Sequence, residues 1–420
     1  MTEAVQNEVK ITEPSVSIGR LIRAAPVWPT SKLCKGGPSA PAFGGCGLDR
    51  ACRPATVSHH GIDDDVRLMQ ETTTIQPSQR PLTQNIGYSP RVLNAIYEGD
   101  FVGFSYGFRP GRGPHDALDA LAVAITSRKV NWILDADVQN FFGSVNQDWL
   151  VQFLEHRIGD KRIIRLIRKW LKAGILEDGV VTVDDRGTGQ GSVISPLLAN
   201  AYLHYTFDLW AERWRRQEAH GDMIIVRYAD DLVVGFEHED DARRFLDAMR
   251  ERFEAFALTV HPDKTRLIEF GRRAAANRKG RGLGKPETFM FLGLTHICGR
   301  SRRGSFLLER KTRRDRLRRK LQDIKEELRR RMHQPIHAQG AWLRQVVTGH
   351  FAYYAVPTNG RALSAFRYYV TDLWRRTLRR RSQRGGFTWD RMARLADEWL
   401  PQPRILHPWP QQRFAVTYPR

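Results

Sequence analysis

The stretch from Met223 to Phe236, MIIVRYADDLVVGF, constrains the fold more than any other part of the chain. Two short apolar, β-branched runs, Met223 to Val226 and Leu232 to Phe236, flank a polar knot, Arg227-Tyr228-Ala229-Asp230-Asp231. That pattern predicts a β-hairpin with two adjacent carboxylates at its tip. Aspartate disfavours strands and like charges repel, so the tip is costly unless a cation neutralises it. Taken alone, the stretch also fits an ordinary Asp-rich turn, because Asp is a common turn residue. The purpose of the two acids has to be read from the rest of the chain.

Upstream, a helix is expected over Pro90 to Tyr97. The loop FSYGFRPGRG, Phe104 to Gly113, then carries Arg109 and Arg112 beside glycines, where they suit phosphate contact or a loop salt bridge. An amphipathic helix follows over His115 to Ser127, with Leu118, Leu121, Ala122 and Ile125 on one face. A strand from Asn131 to Asp137 places Ile133, Asp135 and Asp137 on one face and Trp132, Leu134 and Ala136 on the other. Helices are expected over Gln147 to His156 and Lys161 to Ala173, with a short β pair at Gly179 to Val183. The glycine-rich element GTGQGSVISPLLANAYLHY, Gly187 to Tyr205, feeds a helix with Ser195 as N-cap and Pro196 at its first position. After the hairpin come a helix over Asp240 to Phe256, a strand-like run around Lys264 and a second hairpin at Phe289 to Ile297.

Charge bounds the class of partner. The formal net charge of this 420-residue chain is +21, and 21 Lys and Arg face 6 Asp and Glu between residues 271 and 331. Nucleic acid is the default partner of such a chain, ahead of an anionic membrane. A long basic helix is expected over Lys311 to Arg331, striped by Leu317, Leu321, Ile324 and Leu328. Beyond residue 340, Trp342, Phe351, Tyr353, Tyr354, Phe366, Tyr368, Tyr369 and Trp374 alternate with basic clusters such as RRTLRRR, which favours an RNA-binding helical module over a plain helical domain. No window has the roughly 18 apolar residues of a membrane helix, so no membrane is expected as partner. Four cysteines make no disulfide framework, which fits a reducing cytoplasm. Cys34, Cys46 and Cys52 lie near His59 and His60 but offer no C-x-x-C pair, so no zinc site is expected. Residues 1 to 80 are weakly patterned and read as an irregular or divergent N-terminal region.

Transfer of a nucleotidyl group to a 3′ hydroxyl needs alignment and charge stabilisation more than a reactive side chain. Two magnesium ions about 3.5–4 Å apart supply both, and magnesium takes hard oxygen ligands while keeping waters. The arrangement required is a carboxylate at the end of one strand beside a carboxylate-tipped hairpin. Asp135 or Asp137 on one strand and Asp230-Asp231 on the other provide it.

The motifs LDADVQNFF, QGSVISPLLAN, YADD, HPDKT and FLG occur in the order and at about the spacings found in reverse transcriptases. Within that class, SYGFRPGR and RILHPWPQQRFAV resemble group II intron-encoded reverse transcriptases and maturases, and the likeness runs from about Arg91 onward. The resemblance implies an α+β right-hand polymerase, with fingers and palm over 81–300, a basic thumb helix over 301–335 and a maturase-like RNA-binding helical domain over 336–420. It implies Asp137, Asp230 and Asp231 as catalytic and metal-binding residues, with the Val138 carbonyl as a further ligand to the two Mg²⁺ ions. Phe142 would exclude a 2′ hydroxyl on the incoming nucleotide, Gln190 and Gly191 would lie against the nascent base pair, and Lys264 would sit near the triphosphate. With Arg109 these make up the expected nucleotide site. The resemblance further implies an RNA template, intron RNA, a DNA primer and deoxynucleoside triphosphates as partners, with assistance to splicing. Oligomeric state is not legible.

The chain departs from the family's pattern at Gln139, usually Lys, and at Gly143, usually Asp. Its expected fingers segment is reduced to Arg80-Pro81-Leu82. Two neighbouring functions share the motifs: an RNA-binding maturase whose polymerase is idle, and a reverse transcriptase recruited to defence or a CRISPR-linked task.

Overall fold

Strands of β-branched residues need a hydrogen-bonding neighbour and an apolar cover on each face, and the Met223 to Phe236 hairpin obtains both. The computed structural model describes residues 89–172, 175–177, 180–182, 194–381 and 387–417. These lie within the contact unit His60–Arg420, whereas the unit Met1–His59 falls outside the described residues. So do the expectations placed on the N-terminal cysteines and histidines, on Arg80-Pro81-Leu82, and on Gln190 and Gly191.

The described chain runs α1 (Ser89–Tyr97), α2 (Pro114–Ser127), β1 (Trp132–Ala136), α3 (Phe141–Ser144), α4 (Gln147–Arg157), α5 (Lys161–Lys172), and the short antiparallel pair β2 (Ile175–Glu177) and β3 (Val180–Thr182). Then comes α6 (Ser195–Leu203), which continues through one π-helical turn, His204–Asp208, into α7 (Leu209–Gln217). The hairpin is β4 (Met223–Tyr228) and β5 (Asp231–Phe236), followed by α8 (Glu239–Glu254), β6 (Arg266–Glu269) and α9 (Ala274–Gly280). A second sheet of β7 (Phe289–Phe291), β8 (Leu294–Arg300) and β9 (Phe306–Thr312) leads into α10 (Arg314–Arg330), α11 (Ile336–Tyr354), α12 (Gly360–Arg379), α13 (Trp389–Trp399) and α14 (Pro410–Thr417).

The first sheet has the order β4-β5-β1-β6, and each of its pairs is antiparallel. Its faces separate as the alternation predicts. Leu134, Ala136, Leu232, Val234 and Phe236 join the core formed with α4, α6 and α8. Ile133, Val233, Ile224, Val226 and Ile268 face α2 and the second sheet. A third core holds α10 to α13 together around Phe366 and Trp374. At its centre the Trp374 Nε1 donates to Gln339 Oε1 at 2.9 Å, while Gln339 Nε2 donates to the carbonyls of Arg331, Met332 and Gln334.

Several boundaries differ from expectation, and the β pair expected over Gly179 to Val183 has its first strand at Ile175–Glu177. Ser195 is the first residue of α6, with Ile194 in the cap position, so it is not the N-cap. That helix does not end near Tyr205, because the π turn carries it on to Gln217. Lys311 belongs to β9 and not to the basic helix: Leu308, Arg310 and Thr312 turn inward in strand alternation, and the helix begins at Arg314.

The segment after α13 returns to α11 and α2. Backbone N–H groups of Leu406 and His407 donate to the Ala355 carbonyl, and the His407 ring bonds Ala352 O at 2.7 Å. His407 stacks on His115 at 3.9 Å between centroids, and Arg413 Nη2 donates to Asp116 Oδ1 at 2.7 Å on α2.

His296 in β8 is fully buried against the ring of Phe289, nearly parallel at 8°. Neither ring nitrogen has a hydrogen-bond partner among the described residues. Burial, reinforced by Arg310, pushes its pKa down to about 3. A histidine held neutral in the fold but free to protonate when unfolded stabilises the fold above about pH 6.5, and that contribution is lost as pH falls toward about 3. His296→Phe should therefore flatten the acid limb of stability, removing a slope of about 1.4 kcal/mol per pH unit over that window. Denaturant midpoints from pH 7 to pH 4 would show parallel wild-type and variant curves if this account is wrong.

Candidate catalytic centre

The tip of the hairpin is a two-residue turn, since Tyr228 pairs with Asp231. Ala229 adopts φ +56°, an unfavourable conformation for a residue with a Cβ. Two contacts hold it there. Gly107, in the loop before α2, lies so close that a Cβ on it would be 2.3 Å from Ala229 N. From below, the fully buried Arg227 donates through Nη1 to the Ala229 carbonyl at 3.0 Å.

The remaining donors of that guanidinium are all placed. Nε and Nη2 grip Asp208 at 2.7 and 2.5 Å, Nη1 reaches Asn200 Oδ1 at 2.9 Å, and Nη2 reaches Ser105 Oγ at 2.7 Å. Asn200 in turn donates to the Gly107 carbonyl at 2.6 Å. The π turn brings Asp208 to this position, and such turns often occur at functional sites. The turn bearing the acids is thus bolted to α6, to the π turn and to the loop over Phe104 to Gly113.

Register sets the acids side by side. Ala136 pairs with Leu232, so Asp137, one residue past the end of β1, stands beside Asp231 at the start of β5. Burial pushes the Asp231 carboxyl up to about 6, and the charges of Asp230, Asp137 and Asp135 add to the shift, although the side chain keeps solvent contact. Asp230 is raised chiefly by burial and then by Asp137. Asp135 is also raised to about 6 by burial, opposed by Arg266 at 3.6 Å. It shares the face of Ile133 and is paired with Arg266.

Asp137 has a cation already: Lys264 Nζ donates to its Oδ2 at 2.8 Å. That bond raises the pKa of the exposed lysine. Among the described residues no three His, Cys, Asp or Glu side chains converge as a ready-made metal cage. Magnesium, however, is ordinarily held by one or two carboxylates together with waters and substrate phosphates. Adjacent acids whose charged forms burial disfavours fit that ion.

The structure brings together Asp137, Asp230, Asp231 and Lys264. Val138 is buried and bridges Val260. Phe142 is partly buried against Phe141, beside Asn140 at φ +43°. A Cβ at Gly143 would fall 2.5 Å from Asn140 Nδ2, so a larger residue here would have to displace the Asn140 side chain.

Arg109 is a correction. Its side chain is only 2% exposed and grips Glu98 through Nε and Nη2, while Nη1 donates to the carbonyls of Val102 and Ser105 at 2.8 Å. Its guanidinium braces the loop and is not presented to a triphosphate.

Two functional contributions escaped the sequence reading. One is Arg227 with its partners, whose only signal was an arginine within an otherwise apolar strand. The other comes from α11: Tyr353 Oη donates to Leu292 O at 2.9 Å, and the Tyr354 hydroxyl lies 2.9 Å from where a Gly293 Cβ would be. Leu292 and Gly293, at φ +46° and +76°, form the turn of the β7–β8 hairpin.

Residues 74–296, more than half of the chain, match the family described as reverse transcriptase (RNA-dependent DNA polymerase). The chain belongs to the reverse transcriptase family. Protein YkfC of Escherichia coli is 28% identical over 248 residues, half of this chain and 60% of that protein. The group II intron-encoded protein LtrA of Lactococcus lactis is 37% identical over 113 residues, 27% of this chain and 18% of its own length. An uncharacterized 91 kDa protein in the cob intron of Schizosaccharomyces pombe is 43% identical over 136 residues, 30% of this chain and 16% of its own. The chain spans less than two thirds of each of these relatives. Telomerase from Candida tropicalis aligns at a TM-score of 0.40 with 13% identity, over 61% of this chain and 49% of that one.

In this family member, Arg227→Ala leaves Asp208 buried without its partner, which costs about 3–5 kcal/mol. Arg227→Lys, with three donors for five acceptor contacts, should recover only part of that. Urea unfolding of the three proteins tests the network. Equal stability of wild type and Arg227→Ala would show that the buried pair does not hold the hairpin.

Proposed function

We propose that the protein is a magnesium-dependent RNA-directed DNA polymerase that extends a DNA primer on an RNA template, with a C-terminal module that binds structured intron RNA and assists its splicing. The reading rests above all on one observation: the register that sets Asp137 beside Asp231 at a turn fixed by the buried Arg227. Asp137, Asp230, Asp231 and the Val138 carbonyl are the proposed ligands of two magnesium ions. When bound, such ions activate the primer hydroxyl and stabilise charge on the leaving pyrophosphate.

The chain's own groups do the rest. Lys264 Nζ donates to Asp137 Oδ2, and its exposed side chain would be free to reach the triphosphate and to carry a proton for the departing pyrophosphate. Phe142 is the proposed wall against a 2′ hydroxyl, and Gln190 and Gly191 retain the role their motif implies, beside the nascent base pair.

Fingers and palm are assigned to 81–300, which supply most of the first two cores. The basic helix α10 takes the place of a thumb over 301–335, with Ile324 and Leu328 in the third core and arginines outward. Residues 336–420 form the maturase-like module. No described helix is long and apolar enough to cross a membrane, and a cytoplasmic site of action suits the bulk of positive charge.

Primer extension on an RNA template tests the reading. Wild-type protein should give a magnesium-dependent product that EDTA abolishes, and Asp230→Ala should reduce it by at least about a thousandfold, as befits loss of charge stabilisation at the reacting phosphate. No wild-type product above the Asp230→Ala control, combined with splicing assistance that survives the substitution, would replace the polymerase with a binding role.

A further inference from the structure

The aromatic residues of the C-terminal helices divide into two sets. Phe351, Phe366 and Trp374 are buried, whereas Tyr368, Tyr369 and Trp389 are 57%, 48% and 41% exposed. Large rings left in water on neighbouring helices forgo burial that the adjacent core could have supplied.

The exposed rings are organised. Tyr368 on α12 and Trp389 at the start of α13 lie nearly parallel, at 9° with centroids 5.7 Å apart. Tyr369 meets Tyr368 edge-on at 71°. The Arg375 guanidinium sits 4.4 Å from the Trp389 centroid and is itself fixed by Asp372 at 2.9 Å. Asp372 is shared with Arg376, whose side chain is 67% exposed. Arg379, two turns further along α12 than Asp372, and Arg394 on α13 are exposed as well.

We propose that Tyr368, Tyr369 and Trp389 form a stacking platform for unpaired bases of an RNA strand whose phosphates are neutralised by the exposed arginines of the same helices. The proposal deepens the reading of this module as RNA-binding and names what it binds. Flat rings recognise the faces of bases, and a duplex offers those faces only at its ends. A protein partner would also use tyrosine, tryptophan and arginine, but it would have to desolvate the arginines, whereas a phosphate backbone pairs with them directly.

A short single-stranded RNA carrying one 2-aminopurine reports the contact, because stacking quenches that base. With the full-length protein we expect quenching on binding. Tyr368→Ala and Trp389→Ala should each weaken affinity about tenfold without changing the slope of log Kd against log salt, since a ring releases no counterions. Tyr368→Phe should bind as wild type, and Arg376→Ala should lower the salt slope by about 0.7. The same RNA annealed to its complement should show no dependence on either ring.

Wild-type affinity in both alanine variants, as expected of a protein-docking face, would overturn the proposal, as would equal loss for single strand and duplex. Should Trp389→Ala lower the melting temperature, Tyr368→Ala decides, because its ring is the most exposed of the three. Primer extension separates this from the polymerase reading: quenching without extension retains the platform and removes the polymerase, and extension without quenching does the reverse.

Discussion

A guanidinium buried away from water must find acceptors for all five of its hydrogens, and Arg227 finds them on Asp208, Asn200, Ser105 and Ala229. Each partner belongs to a different part of the chain: the π turn, helix α6, the loop before α2 and the catalytic turn itself. Because an unsatisfied member of a buried network costs more than its bond is worth, the four parts assemble together or not at all. The left-handed backbone of Ala229 and the crowding of the carboxylates are strained features tolerated because this bolt holds them.

The sequence made the local features plain and hid the distant ones. Strand alternation at Trp132 to Ala136 and around Asp230-Asp231 announced the sheet, its faces and the acids, because period and charge are local signals. The partner of Arg227 lies 19 residues upstream on a helical turn with no sequence mark of its own. Arg109 looked available for phosphate because glycines surround it, yet Glu98, eleven residues earlier, takes its guanidinium inward. Lys311 read as helix because basic residues continue on both sides of it, and only the pairing with Thr295 in β8 shows it to be strand. Among the C-terminal aromatics, composition could not say which rings are core and which are surface. That division needed the packing of α10 to α13.

The third core is also joined to the second sheet by more than a linker. Tyr353 bonds the β7–β8 turn, and Asn359 Oδ1 and Thr358 Oγ1 accept backbone N–H groups of Thr312 and Arg310 in β9. Helices α11 and α12 therefore rest on a sheet packed against the first one. A shift of α11 would be felt at Leu292 and Gly293 without any change in the aspartates.

The contact of Arg413 with Asp116 spans 297 positions of sequence. During synthesis, the face of α2 that α14 covers emerges long before its cover does. At typical elongation rates the interval is roughly 15 to 60 seconds. Once β6 has emerged the first sheet is whole, while Asp116 still lacks the guanidinium and His115 the ring that will later lie on it. A nascent chain therefore passes through a stage in which its first sheet is built and its closing strap is not, an opening during which a chaperone or an RNA could reach that helix first.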